Sequence, residues 1–250
     1  MDLHLSNKTA LVTGASAGIG RAIARGLAAE GARTAVVARR RELLESLAGE
    51  IEATGGHRPA IITADVMDEE AVAAIAHEAR EGLGGVDILV NCAGGSRPMA
   101  VDAPEERWEE AMTLNFTRVR QLTHALLPGM IDSGWGRIVN ITGKSEPEGL
   151  NAAFSAKAAV HAWAKGLSRE VGRYGITINC IPPGRIMSEQ IERNYPPEYR
   201  AEHAAKEIPM GRYGEPEELA CLAVFLCSPI AQYITGAVLP VDGGLRRYSF

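Results

Sequence analysis

The stretch Lys8-Thr9-Ala10-Leu11-Val12-Thr13-Gly14-Ala15-Ser16-Ala17-Gly18-Ile19-Gly20-Arg21 decides the fold of this chain. A short apolar run ends in a turn carrying glycines at 14, 18 and 20, and an alanine-rich helical pattern starts at once. Ala22, Ile23, Leu27 and Ala28 recur at helical spacing, Gly31 closes the helix, and a second apolar run follows from Thr34 to Ala38. Strand, glycine turn, helix and strand form the unit that aims a helix N-terminus at a pyrophosphate. Such a turn needs bare backbone: Gly14 for the tight bend, Gly18 for phosphate approach and Gly20 for close helix–strand packing. The spacing Gly-x-x-x-Gly-x-Gly predicts a dinucleotide site.

The rest of the chain extends this unit. Strand-like runs recur near 9–13, 34–38, 60–64, 86–91, 137–142, 176–181 and 237–241, and helical patterns fill 20–30, 41–53, 69–81, 104–127, 151–171 and 216–227. This alternation predicts an α/β, Rossmann-type doubly wound fold whose parallel sheet has helices on both faces. All of residues 1–250 read as one dinucleotide-binding domain. The irregular segment between Pro182 and Gly214 follows a strand end, where ligands bind in such folds, so a substrate lid is expected within 185–214.

Composition excludes several classes. A net charge of −5 argues against a nucleic-acid surface. No apolar run approaches the ~20 residues that span a bilayer, and Met1-Asp2-Leu3-His4 lacks a signal-peptide pattern. Cys92, Cys180, Cys221 and Cys227 are scattered, as expected of reduced thiols in a cytoplasmic protein, and the six dispersed histidines predict no metal site.

Further segments resemble the short-chain dehydrogenase/reductase family over essentially the full length. Asn91-Cys92-Ala93-Gly94 is similar to the family's Asn-Asn-Ala-Gly motif, and Asn115 matches its helix asparagine that binds a relay water. Gly136-Arg137-Ile138-Val139-Asn140-Ile141 resembles the strand leading to the active site, and Pro183-Gly184 the nicotinamide-side turn. Ile234 to Gly244 looks like the last strand and its tail. The resemblance implies a seven-stranded sheet binding NAD or NADP. It also implies cofactor contacts from Thr13, Gly14, Ser16, Gly18, Ile19, Gly20, Asp65, Val66, Asn91, Ala93, Gly94, Lys157, Pro183, Gly184 and Ile186. Singly, each has a plainer reading: Asn91 caps a turn, Asn115 is a solvated helix residue, Asp65 is a helix cap.

Val37-Ala38-Arg39-Arg40-Arg41 follows the second strand, where an NAD-specific site usually carries an acidic residue. Arg39 and Arg40 predict NADP in preference to NAD, because a guanidinium fork matches a 2′-phosphate.

The family's catalytic apparatus is a tyrosine, a lysine four residues later, and a serine on the preceding strand. Here Lys157 is present, but Ala153 stands four before it, and a one-residue local deletion would bring Phe154 there instead. Gly143 stands where the serine is usual. The candidate catalytic residues are therefore Asn115, Lys157, Thr142 and Ser145. The proton donor is expected to be Ser145, Lys144 or a water held by Asn115 and Lys157. The reading is an NAD(P)-dependent oxidoreductase with an atypical donor, acting on a small carbonyl or alcohol. A non-catalytic NADP-binding sensor or structural subunit is the alternative, and a lyase or epimerase a third, since fold does not fix chemistry. Arg97, Lys144 and Arg185 fall on strand-end loops, which points to an anionic substrate. Ala152, Ala153, Ala156, Ala159, Ala162 and Gly166 give 151–171 a small-residue face, predicting a homo-dimer or homo-tetramer.

Overall fold

The structure is a computed structural model describing residues 1–143 and 149–248. Strands β1 (Thr9–Thr13), β2 (Arg33–Ala38), β3 (Ala60–Thr63), β4 (Ile88–Asn91), β5 (Gly136–Ile141) and β6 (Ile176–Ile181) form one parallel sheet in the order β3-β2-β1-β4-β5-β6. Alternate side chains point to opposite faces: Ala10 and Val12 join one apolar cluster, Leu11 the other. Helices α1 (Gly18–Ala29) and α2 (Arg41–Ala53) cover the first face; α3 (Ala71–Leu83) packs on the second. Burial on both sides explains why these strands read as continuous apolar runs.

The sheet has six strands, not the seven expected. The run 237–241 does lie parallel to β6, with Cys180 donating to the Ala237 carbonyl (2.9 Å) and Leu239 to that of Cys180 (2.9 Å). It forms only isolated bridges, Cys180 to Val238 and Pro183 to Val241; between the donors Cys180 and Gly184 on the facing segment stands Pro182, which has no backbone N–H for the rung between them.

The expected helix 104–127 is two helices joined by a wider turn. α4 (Glu105–Met112) passes through a π turn at Thr113–Thr117 into α5 (Arg118–Ser133). α5 continues through Pro128, where the sequence pattern had ended it, and stops at Gly134 in a left-handed conformation (φ 66°). Proline's fixed φ suits a helix, so the cost is one lost hydrogen bond and local crowding. α6 (Ala152–Val171) then returns along the second face, and Asn151 caps it by accepting from the Ala153 N–H (3.0 Å).

The segment expected to be irregular contains two helices, α7 (Glu189–Asn194) and α8 (Pro197–Glu207). Its ends meet: Met187 donates to the Gly214 carbonyl (2.8 Å) and Gly214 to that of Arg185 (2.9 Å). Ala204, Ile208 and Tyr213 form a small core of their own with Met187, Ile191 and Leu245. The segment is a flap with one base and its own packing. α9 (Pro216–Leu226) then packs on α1, where a Cβ on Gly26 would stand 2.9 Å from Val224.

Candidate functional site

The strand order reverses between β1 and β4, and the crevice at such a point is where open α/β sheets bind ligands. Backbone crowds it. A Cβ on Gly14 would stand 2.9 Å from the Ala93 Cα, and one on Gly20 2.3 Å from the Gly14 carbonyl oxygen. Gly14 (φ 68°) and Gly18 (φ 55°) are both left-handed. Side chains cannot replace hydrogen at these positions without moving the turn. The residues fit a dinucleotide: bare backbone at Gly18 opens toward Ser188, whose Cβ lies 3.8 Å from where a Cβ would stand.

Thr13 ties the two strand ends together. Its hydroxyl oxygen accepts from the N–H groups of Cys92 (3.0 Å) and Ala93 (3.1 Å). Asn91 donates to the Asn140 side-chain carbonyl (2.9 Å) and to the Thr123 hydroxyl (3.2 Å), so it pins β4 to β5 and α5. The sequence assigns no role to the Asn140 and Thr123 side chains, because only strand pairing and the packing of α5 bring them to Asn91. Val66, Thr13, Asn91, Ala93 and Leu114 line one hollow. Asp65 accepts from the Met67 N–H (3.0 Å) and pairs with Arg39 (3.5 Å). Ile19 packs against the first core, beside the turn that carries Ser16.

At the other end, Pro183 bridges Val241, and Gly184 donates to the Val241 carbonyl (2.9 Å). A Cβ on Gly184 would meet the Asp242 Cα at 2.5 Å, so glycine is needed for close approach. Ile186 is buried at the flap's base and bridges Gly214. A separate cavity of about 80 Å³ behind that base, lined by Arg185, Met210 and Arg212, shares only Ile186 with the expected site.

Lys157, Asn115 and Gly94 converge. The Lys157 Nζ donates to the Thr142 carbonyl (2.9 Å). Asn115 lies in the π turn, donates to the Ala111 carbonyl (2.9 Å) and accepts from the Gly95 N–H (3.2 Å). A Cβ on Gly94 would stand 3.0 Å from the Asn115 Oδ1 and 3.5 Å from the Lys157 Nζ, so both groups face one small space. Single-turn π insertions of this kind often serve functional positions. Burial lowers the Lys157 pKa and pushes the Cys92 thiol up to about 12. Cys92 is therefore a neutral thiol beside the lysine.

Thr142 is buried at 2% exposure, and its hydroxyl lies 2.7 Å from the His161 Nε2. Burial, then the neighbouring Lys157, lowers the His161 pKa. His161 was missed, although it stands four residues after Lys157 and so on the same helix face. Lys144 and Ser145 lie outside the described residues. Phe154 and Lys157 both border Gly143: a Cβ there would be 3.9 Å from the Phe154 ring and 3.0 Å from the Lys157 Cδ.

The expected phosphate-binding arginines are engaged by carboxylates. Arg40 pairs with Glu189 (3.0 Å) and reaches the Ser16 hydroxyl (3.5 Å). Two of the three cations read as pointing to an anionic substrate also have partners: Arg97 pairs with Glu110 (3.3 Å), and Arg185 lies over the Tyr195 ring (5.5 Å). Among the described residues no group of three or more His, Cys, Asp or Glu side chains is arranged to hold a metal ion. No helix among them is long and apolar enough to cross a membrane.

The family model described as Enoyl-(Acyl carrier protein) reductase matches residues 14–246. The chain belongs to the short-chain dehydrogenase/reductase family. It is 36% identical over 247 residues to the 3-oxoacyl-(acyl carrier protein) reductase FabG of Pseudomonas aeruginosa, covering 97% of this chain and 99% of that protein. L-Sorbose reductase from Gluconobacter frateurii, solved with NADPH and L-sorbose, superposes with a TM-score of 0.93 at 34% identity, covering 99% of this chain and 100% of that one. A 7α-hydroxysteroid dehydrogenase solved with NADH and 7-oxo glycochenodeoxycholic acid gives 0.92 at 34% identity, covering 97% and 96%. Members of this short-chain dehydrogenase/reductase family are NAD(P)-dependent oxidoreductases, which makes an enzyme of that class the expectation for this chain.

Proposed function

We propose that this protein is an NADP-dependent oxidoreductase that interconverts a small carbonyl compound and its alcohol, with a proton that comes from Lys157 through water rather than from a phenol. The observation that carries this reading is the space beside Gly94 faced by both the Lys157 ammonium and the Asn115 amide oxygen. Thr13, the glycine turn, Asp65, Val66, Asn91, Ala93, Pro183, Gly184 and Ile186 would hold the dinucleotide along the crevice. Bound there, the nicotinamide supplies or accepts the hydride. Lys157 keeps a proton at Nζ, anchored by the Thr142 carbonyl, and Asn115 orients a water between that nitrogen and the substrate oxygen. Desolvation makes the ammonium a stronger acid, which suits it to this task. The His161–Thr142 pair fixes the segment that carries that carbonyl.

The relatives support carbonyl chemistry: one is a 3-oxoacyl-(acyl carrier protein) reductase, another an L-sorbose reductase solved with NADPH and L-sorbose. An anionic substrate would be met by Arg97 and Arg185 only by exchanging the contacts they make within the chain, with Glu110 and the Tyr195 ring. The flap 185–214 is read as the substrate lid of a single domain, because it is hinged at one base and carries its own core. A cytoplasmic location suits the four free cysteines. A second reading, a non-catalytic NADP-binding sensor or subunit, rests on the absence of any hydroxyl at Ala153, Phe154 and Gly143. Binding without turnover across a panel of ketones, aldehydes and acyl thioesters would favour it.

NADP is preferred because Arg39 and Arg40 follow β2 where an acidic residue would repel a 2′-phosphate. Fluorescence titration should give tighter binding of NADPH than of NADH. Arg39→Ala with Arg40→Ala should weaken NADPH about tenfold while changing NADH little, as expected for charge-assisted contacts to phosphate. Equal or tighter NADH binding in the wild type would reject the assignment.

The protein is also read as a homo-dimer or homo-tetramer. Ala152, Ala153 and Ala156 are spent on its own core, but Ala162 and Gly166 remain exposed, and nothing lies within 4 Å of a Cβ built on Gly166. Close helix–helix approach suits such positions. Light scattering at micromolar concentration should give a multiple of 26.7 kDa; a mass of one chain would contradict it.

A further inference from the structure

One ion pair joins parts of the chain that are 149 residues apart. Arg40 stands just beyond β2 and starts α2; Glu189 is the first residue of α7 in the flap. The guanidinium forks onto the carboxylate, Nη2 to Oε2 at 3.0 Å and Nη1 to Oε1 at 3.4 Å, and Nη2 also reaches the Ser16 Oγ (3.5 Å). Ser188 fixes the turn that delivers Glu189 by accepting from the Ile191 N–H (3.2 Å). Three walls of the crevice therefore meet at one guanidinium: the glycine turn, the end of β2 and the flap. Both side chains are about half exposed, at 46% and 57%, so ligand and salt have access to the pair.

We infer that Glu189 is a specificity-determining residue that competes with the 2′-phosphate of NADP for Arg40. The inference rests on the reading that Arg40 receives that phosphate. A dinucleotide with a bare 2′-hydroxyl brings no charge to this point and leaves the Arg40–Glu189 pair intact. A 2′-phosphate brings close to two negative charges and takes the guanidinium, but it then faces the carboxylate it displaced. Glu189 thus weakens the phosphorylated cofactor selectively and narrows the preference set by Arg39 and Arg40. Asp65, paired with Arg39 at 3.5 Å, stands in the same relation to the neighbouring arginine.

The test is equilibrium titration of the full chain with NADPH and NADH, read by cofactor fluorescence, for wild type, Glu189→Gln and Arg40→Ala. Glutamine keeps the shape of the side chain and removes the charge. Glu189→Gln should tighten NADPH about three- to fivefold, the upper part of the range for an exposed ion pair, and leave NADH within about twofold. The gain should shrink in about 1 M salt, where the screening length is ~3 Å. NADH binding also reports that each variant is folded. If Arg40→Ala weakens NADPH but Glu189→Gln leaves it unchanged or weaker, the competition is refuted while the phosphate site stands. If Arg40→Ala does not affect NADPH, the phosphate reading fails, and the inference with it.

Discussion

Phe154→Tyr should raise carbonyl reduction by about 10²-fold over the wild type, the lower end of what a positioned general acid contributes. The Phe154 ring lies 3.9 Å from where a Cβ on Gly143 would stand, and Lys157 borders the same point. The gain requires the added hydroxyl to reach the lysine, whose positive charge would favour the phenolate and so strengthen the phenol as an acid. The change adds one oxygen to a half-buried ring. Ala153→Tyr is the contrasting variant. Ala153 stands four before Lys157 but is 2% exposed, so a ring there would overpack the helix at a cost of typically ~1–3 kcal/mol. Steady-state rates with NADPH and a panel of ketones check both. A gain in Ala153→Tyr with none in Phe154→Tyr would mean that residue 153 holds the tyrosine position.

Lys157→Ala should lower turnover by about 10²-fold, since the group that holds the proton is removed. It should also weaken NADPH binding about tenfold, because the resemblance assigns Lys157 a ribose contact. The pH profile separates these roles. Wild-type turnover in the reductive direction should fall as pH rises through the lowered Lys157 pKa, and that limb should be absent in Lys157→Ala. Unfolding does not explain such a fall. Between the lowered folded value and the ordinary 10.5, the unfolded chain binds the proton that the folded lysine has released, so this group makes the fold more stable as pH rises. A turnover limb unchanged in Lys157→Ala would remove the lysine from the proton's path.

Much of the fold was legible because it rests on local signals. The Gly14-x-x-x-Gly18-x-Gly20 spacing, the apolar runs and their alternation with helical patterns determine strands β1 to β6 and their parallel direction. The seventh run failed to become a full strand for a reason the sequence does carry: Pro182, opposite it, removes a donor from the ladder. The π turn was not legible, since its five residues continue the apolar period of the flanking helices and differ only in hydrogen bonding. The two flap helices were obscured by Pro196 and Pro197, read as irregular although proline is well placed at a helix start.

Within the site, residues next to a motif were readable and partners across the sheet were not. Asn91, Asn115 and Lys157 stand in recognisable runs. The partners that hold Asn91, Thr123 and Asn140, acquire that role only when β4 and β5 pair and α5 packs beside them. Glu189 is the extreme case. No periodicity links it to Arg40, and only folding of the flap over the crevice brings the two charges together.

The most direct test of the central claim is a deuterium-transfer experiment. NADPH labelled at its transferable C4 position is incubated with the protein and with a keto sugar, a cyclic ketone and a 3-oxoacyl thioester in turn, and products are analysed by mass spectrometry. Deuterium is expected on the carbinol carbon of at least one product, formed slowly in the wild type, faster in Phe154→Tyr and at background in Lys157→Ala. Saturable NADPH binding with no deuterium in any product, in the wild type and in Phe154→Tyr alike, would contradict the claim.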